Sequence, residues 1–394
     1  MVGVAIVVIA GVASLFMAWA IGAGSSGSTP FAPAVGANAI SVMRAGFVVG
    51  ILGLLGAVLQ GTNVSGAIGT ELVRGVSLSP AAVIVGLGTA AILVALGVFR
   101  GYPIATAFTV TGAVVGVGLA LGGAPAWTKY REIVVLWMLT PVVGGTIAYS
   151  TARLLDADRV PVRTTIPLLG ALVGLVLANA PFGILGSMGG TASLATAIAG
   201  PLSKAGVMSE GVNRIGVDVV TAGLVAGLTY RQVVRDVTAG RRQFLLALGA
   251  LVAFSAGGSQ VGLAVGPLVP LLGSIHVPLV LVLAGGGTGL LLGSWTGAPR
   301  MIKALSQDYS SLSTNRSIAA LVPSFVIAQA AVFFGIPVSF NEIIVSAIVG
   351  AGYAAGGGGI SRRKITYTVL AWIGSLVLAG LVGYGAFAAV NAYL

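Results

Sequence analysis

Long apolar runs recur along the whole chain, separated by short stretches of glycine, hydroxyl residues, proline and arginine. Runs of about 17 to 22 residues are what an α-helix needs to cross a bilayer. They predict spans near 2–22, 45–60, 79–99, 103–121, 132–152, 165–182, 213–230, 243–256, 261–293 (interrupted), 317–334, 338–357 and 366–389. A secretory leader explains the first run and none of the others. The pattern is weakest from Pro181 to Gly223. That stretch is rich in small and hydroxyl residues and holds Lys204, Glu210, Arg214 and Asp218. It is expected to be partly re-entrant or to lie outside the membrane.

Ala20 to Ser41, AIGAGSSGSTPFAPAVGANAIS, interrupts the pattern differently. It carries no charge, although it joins two apolar runs. A polar segment of that kind is either a loop in water or backbone broken inside the membrane.

Composition removes most function classes. The chain is 57% hydrophobic and 7% charged, with a mean hydropathy of +1.06. Soluble domains carry roughly 25% charged residues. With no cysteine and a single histidine, His276, thiol chemistry and a His-rich metal site are excluded. No cofactor and no metal are expected, and no nucleophile–base pair argues for an enzyme.

The net charge of +11 reads as loop arginine and lysine rather than a nucleic-acid surface. Most basic residues fall in alternate loops: Arg44; Arg100; Arg153, Arg159 and Arg163; Arg231, Arg235, Arg241 and Arg242; Arg300, Lys303 and Arg316; Arg362, Arg363 and Lys364. Only Arg74, Lys129, Arg131, Lys204 and Arg214 fall in the other set. The positive-inside rule makes the first set cytoplasmic. A multi-pass protein of the cell membrane with both termini outside is therefore expected. Arg44 is read as the anchor of a span end and His276 as a surface residue. Trp127, Trp137 and Trp295 are read as interfacial or packing residues, and Asp156, Asp158 and Arg159 as a solvated linker.

The chain also repeats itself. The first half runs AIGAGSSGSTPFAPAVG, a span, GTNVSGAIGTELVRGVSLS, a span, and GYPIATAFTVTGAVVGVGLALGG. The second runs AFSAGGSQVGLAVGPLVPLLGS, a span, GSWTGAPRMIKALSQDYSSLS, a span, and GIPVSFNEIIVSAIVGAGYAAGG. The order of parts matches, yet the first polar break opens to the basic side and the second to the opposite side. This predicts an all-α membrane bundle of two inverted repeats, residues 1–152 and 243–394, joined by a cytoplasmic linker with inserted spans over 153–242. Inverted repeats with broken segments at corresponding places are the signature of a secondary transporter.

Lipid tolerates broken backbone only where it lines a cavity or is packed in protein. At Ser28-Thr29-Pro30 a hydroxyl precedes a proline, which predicts the start of a short helix with free N–H groups. Such an end attracts an anion. Gly258-Ser259-Gln260 is expected to repeat the device. Gly112–Gly118 and Ala284–Gly289 are read instead as close helix packing.

The four segments resemble the inorganic phosphate transporter (PiT) family, whose signature is a G-A-N-D-V-A-N-A loop in each half followed by P-V-S-T-T-H. AFSAGGSQVGLAVGPL looks like the second loop, with Gly257, Val261 and Gly266-Pro267-Leu268 in place. Gly22 to Thr29 lies where the first belongs, and Pro103-Ile104-Ala105-Thr106 and Pro337-Val338-Ser339 match the later motifs. The family's two Asp positions are Ser25 and Gln260 here, the preceding Asn are Gly24 and Ser259, the second Asn are Ser28 and Leu263, and the later His are Phe108 and Glu342. The Gly/Ser-rich first loop and the Ala253–Gly257 opening are similar to the sulfate permease branch.

These departures carry an expectation. Phosphate near neutral pH keeps a proton that it can donate to a carboxylate, whereas sulfate only accepts. Replacing both Asp by Ser and Gln removes a repulsion and adds donors, which favours sulfate. Glu342, an acid inside a span, is the candidate proton carrier. The expected function is secondary active transport of a tetrahedral oxyanion, sulfate ahead of phosphate, with the proton ahead of sodium as coupling ion. The alternatives are a sodium- or proton-coupled phosphate transporter of the same family and a passive anion channel. The candidate substrate-binding residues are Ser25, Ser26, Ser28, Thr29, Thr106, Ser259, Gln260, Ser339 and Asn341, with Glu342 for coupling. The expected partners are the oxyanion, the cation and the bilayer; a homodimer is left open.

Overall fold

The computed structural model describes residues 2–157, 160–186, 190–356 and 360–392. Asp158 and Arg159 of the linker lie outside the described residues. The first half comprises α1 (Val2–Ile21), α2 (Ala32–Gly36), α3 (Val42–Gln60), α4 (Thr62–Thr70), α5 (Pro80–Arg100), α6 (Thr106–Ala120) and α7 (Trp127–Leu155). Three helices follow: α8 (Val162–Asn179), α9 (Leu194–Lys204) and α10 (Glu210–Arg235). The second half comprises α11 (Val237–Val265), α12 (Val269–Ile275), α13 (Leu279–Thr296), α14 (Ala298–Gln307), α15 (Thr314–Phe334), α16 (Phe340–Tyr353) and α17 (Arg362–Asn391).

Among the described residues, ten helices are long and apolar enough to cross a membrane. Large apolar side chains on their outer faces, such as Met138, Leu370 and Leu381, are more than half exposed, which suits a lipid surround. The fold is thus the expected all-α polytopic bundle. The stretch expected to be partly re-entrant or outside supplies α9 and the first half of α10, a helix long and apolar enough to cross a membrane. Asn179 Nδ2 of α8 donates to Asp218 Oδ1 of α10 at 2.8 Å, so a charge near the middle of that hairpin has a partner.

Local chemistry sets the helix ends. Ser79 accepts from the Ala82 N–H, with Pro80 in the first turn of α5. Asp236 Oδ1 accepts from the Thr238 and Ala239 N–H groups and divides α10 from α11. Gly101 (φ +72°) closes α5 and Gly335 (φ +62°) closes α15, a left-handed conformation that costs glycine nothing. Pro103 and Pro337 then hold the chain extended before α6 and α16 begin. With 15 and 14 residues, these two helices span only about 21–23 Å at 1.5 Å per residue. That falls short of the roughly 30 Å hydrocarbon core.

The halves exchange contacts reciprocally. α1 packs on α5 as α11 packs on α15, while α6 lies against α17 and α16 against α7.

Both expected breaks differ from expectation. In the first half α1 widens into a π-helical turn, Gly22–Ser26, and turns before α2. Every residue from Ile21 to Val35 is buried, so the segment is packed in protein. In the second half α11 continues unbroken through Ser259 and Gln260, and the chain bends at the 3-10 turn Gly266–Leu268. The glycines before it serve packing. A Cβ on Gly257 would overlap the Gly53 carbonyl of α3, and one on Gly262 would press on Val64 and Ser65 of α4. Gly116 meets Gly380 and Gly289 meets Ala18 in the same way, as expected for the glycine runs of α6 and α13.

Replacing Gly257 by valine should therefore destabilise the bundle by about 1–3 kcal/mol through overpacking. Gly227→Ala, where a Cβ meets nothing within 4 Å, should leave stability unchanged or slightly raised. Thermal unfolding of the two purified variants in detergent separates these outcomes.

Candidate functional site

Four of the candidate residues meet in one buried network. Ser25 Oγ and Thr106 Oγ1 both donate to Gln260 Oε1, at 3.1 and 2.8 Å. Gln260 Nε2 donates to the Val338 carbonyl at 2.6 Å. Asn341 Nδ2 reaches the carbonyls of Gly24 (2.9 Å) and Ile104 (2.7 Å). Ser25, Thr106, Gln260 and Asn341 are all fully buried. The bonds join the end of α1, the starts of α6 and α16, and the last turns of α11. Both halves of the chain contribute, and no lysine or arginine takes part.

The short helices owe their place there to the Gly-x-Pro turns before them. Neither α6 nor α16 has a side-chain cap. Their first-turn N–H groups have no intrahelical acceptor, and both positive helix ends point into the same polar cluster. This is the cradle that the sequence places at Ser28-Thr29-Pro30. At that position the structure does something else. The N–H groups and hydroxyls of Ser28 and Thr29 all turn back to the Ser25 carbonyl, at 3.0–3.1 Å. They close the end of α1, because a buried helix end must have its carbonyls met. Pro33, rather than Pro30, sits in the first turn of α2.

Several buried polar atoms, some of them on residues next to the network in sequence, have no partner among the described residues. Nine buried side-chain atoms lack a hydrogen bond among the described residues. Five belong to candidate residues: Ser26 Oγ, Ser259 Oγ, Ser339 Oγ, Asn341 Oδ1 and Glu342 Oε2. An unmet buried polar group costs about 1–3 kcal/mol, so each of these atoms calls for a partner such as a water or a polar ligand. The two bonds from Asn341 Nδ2 fix that amide with its oxygen free to accept. The cluster therefore offers donors and at least one acceptor.

Glu342 follows Asn341 in the first turn of α16, but no hydrogen bond among the described residues joins its carboxyl to the network. It is 2% exposed and lines an apolar cavity of about 790 Å³ between α7, α16 and α17, where Phe108 lies as well. The two positions that resemble the family's later His thus face one cavity.

Two tryptophans do more than pack. Trp137 Nε1 donates to the Pro337 carbonyl at 2.9 Å, and Trp372 Nε1 donates to the Pro103 carbonyl at 2.7 Å. Each holds the proline turn that opens the short helix of the other half. Both are nearly buried, whereas Trp127 (72% exposed) and Trp295 (41%) sit at the surface as expected. A second polar cluster was not legible as a unit: Gln60 and Gln329 exchange reciprocal bonds at 3.2 Å, and Gln329 Nε2 donates to Ser255 Oγ at 2.6 Å. A lone Gln inside each of two apolar runs was its only trace.

Gln260→Leu should strip the acceptor from two hydroxyls and the donor from Val338 O, destabilising by about 2 kcal/mol or more. Ser25→Ala removes one of two donors to the same oxygen and should cost about 1 kcal/mol. The ratio of the two losses, read by thermal unfolding in one detergent, checks that Gln260 is the hub.

Comparison with known proteins gives the family and the fold. Residues 21–383 match the phosphate transporter family. "Putative phosphate permease TK2061" of Thermococcus kodakarensis is 25% identical, over 93% of each chain. "Inorganic phosphate transporter 2-1, chloroplastic" of Arabidopsis thaliana is 22% identical, over 91% of this chain and 68% of that one. A solved structure named "The sodium-dependent phosphate transporter" superposes with a TM-score of 0.81 at 22% identity, over 99% of this chain and 100% of that one. It shows the same fold. None of these similarities points to a sulfate permease branch. The family match spans most of the chain, and this multi-pass membrane protein belongs to the phosphate transporter family.

Proposed function

We propose that the chain is a cation-coupled carrier of inorganic phosphate that works by alternating access around the network of Ser25, Thr106, Gln260 and Asn341. The observation that carries this reading is the set of unmet buried atoms beside that network. Three hydroxyls, Ser26, Ser259 and Ser339, can donate to phosphate oxygens. The first turns of α6 and α16 add backbone donors and a positive end. Asn341 Oδ1 can accept from a P–OH. Sulfate has no proton to offer such an acceptor, so the acceptor turns the balance from sulfate, favoured by donors alone, to phosphate.

Ser28 and Thr29 act in this reading as closers of the α1 end rather than as ligands. The matched order of elements in residues 2–155 and 237–391 supports two inverted repeats, with the termini on the side away from the basic loops. Glu342 is the group that would carry a proton, and it does so from the cavity behind the site rather than from within it.

Uptake of labelled phosphate and, separately, sulfate into proteoliposomes, each with a sodium gradient, a proton gradient or neither, tests the proposal. Saturable phosphate uptake driven by one gradient is expected. Sulfate uptake exceeding phosphate uptake, or non-saturable flux without a gradient, would overturn it. Ser339→Ala should raise the KM for phosphate about five- to ten-fold, the worth of one hydrogen bond. Asn341→Asp should weaken it by about ten-fold or more through repulsion of the anion. Glu342→Gln should leave exchange intact and abolish any uptake driven by a pH gradient, while a sodium-driven uptake would persist.

A further inference from the structure

α7 and α17 stand on either side of the cavity that Glu342 closes. Glu342, Trp137 and Trp372 are its buried lining residues, and the lining runs along three helices. On α16 it extends from Glu342 to Tyr353, on α17 from Leu376 back to Ile365, and on α7 from Val134 to Tyr149. Two of these stretches are twelve residues and the third is sixteen, about 17–23 Å of helix. Half of a bilayer's hydrocarbon core is about 15 Å, so the cavity runs for at least the depth of one leaflet. Its lining is almost wholly apolar, and the helices that frame it expose Val142, Met138 and Ile373 beside it.

The helical stripes that line the cavity continue past its open end. On α17 the stripe Leu376, Ile373, Val369, Ile365 reaches Arg362 three residues further back. On α7 the stripe Met138, Val142, Thr146, Tyr149 reaches Arg153 four residues further on. Both arginines are exposed, and neither makes an ion pair among the described residues. Arg363 adds a third positive charge beside them, stacked over Tyr367.

We infer that this cavity is a binding site for one anionic phospholipid. Its acyl chain fills the space between α7 and α17 down to Trp137 and Trp372, and its phosphate headgroup lies between Arg153 and Arg362. The depth suffices for a chain of one leaflet, the lining fits hydrocarbon, and the arginines that continue the α7 and α17 stripes fit a negative headgroup. The two tryptophans that meet the chain end also hold the turns before α6 and α16, so the lipid lies directly behind the helix starts of the polar network. This inference stands on the cavity and its charges, whatever the carrier transports.

The test uses a variant that keeps only the cavity tryptophans (Trp19→Phe, Trp127→Phe, Trp295→Phe), purified in detergent. It is titrated with phosphatidylglycerol brominated along its acyl chains and, separately, with phosphatidylcholine carrying the same chains. Phosphatidylglycerol should quench Trp137 and Trp372 at a mole fraction lower by about five-fold per arginine engaged. Adding Arg153→Gln and Arg362→Gln should bring the two curves together and leave the phosphatidylcholine curve in place. Equal quenching by both lipids before the arginine changes would reduce the site to non-selective lipid contact and overturn the proposal. So would cross-linking between cysteines placed at Val142 and Ile373 of two protomers, because a second copy would then fill the space. Native mass spectrometry of the unaltered chain, released from a mixture of the two lipids, gives an independent reading. Retention of one phosphatidylglycerol supports the site, and retention of neither lipid rejects it.

Discussion

Backbone that stops inside a membrane must have its polar groups met by protein, and in this molecule that constraint converges on Gln260. Its oxygen receives the hydroxyls of Ser25 and Thr106, and its nitrogen donates to the carbonyl of Val338. One amide thereby ties the widened end of α1 to the start of α6 and to the turn before α16. Of the two side-chain amides, which each supply an acceptor and donors, asparagine is shorter by one methylene. A carboxylate at the same place would accept both hydroxyls but could not donate to Val338 without holding a proton.

The rest of the bundle exists to bring these ends together. Gly101 and Gly335 stop two long helices, and the prolines that follow keep the chain extended until a short helix begins. Trp137 and Trp372 reach across from the opposite half to hold each proline turn. The glycines of α3, α6, α11 and α13 remove side-chain bulk where helix backbones meet, which lipid surroundings favour because hydrocarbon gives apolar side chains no reason to associate. Specificity of assembly then rests on shape and on a few polar clusters, the Gln60–Gln329–Ser255 group among them.

The departure from the family's loop motif has a different meaning in three dimensions than in one. Ser and Gln in place of two aspartates read along the chain as a set of pure donors. In the fold Gln260 spends its oxygen on two hydroxyls, while the Asn341 amide is held by two carbonyls with its oxygen free. The balance of donors and acceptors at the site is therefore set by neighbours that no local motif contains.

The apolar runs, the basic loops and the duplicated polar segments were enough to determine a polytopic helical membrane protein, its approximate spans and its family. These are properties of short stretches read against one physical scale, the thickness of a bilayer. Ser25, Thr106, Gln260 and Asn341 could be picked out because polar residues in apolar runs are costly and need a reason. Which way each hydroxyl pointed was not legible. Ser28 and Thr29 satisfy a carbonyl three and four residues back, an outcome of helix geometry that looks the same in sequence as an anion-binding cap. The continuity of α11 through Gly257-Gly258 was equally hidden, since glycine permits a break and close packing alike, and only the approach of Gly53 decides between them. Glu342 sits beside Asn341 in the chain but faces another compartment, because successive helical residues diverge by about 100°.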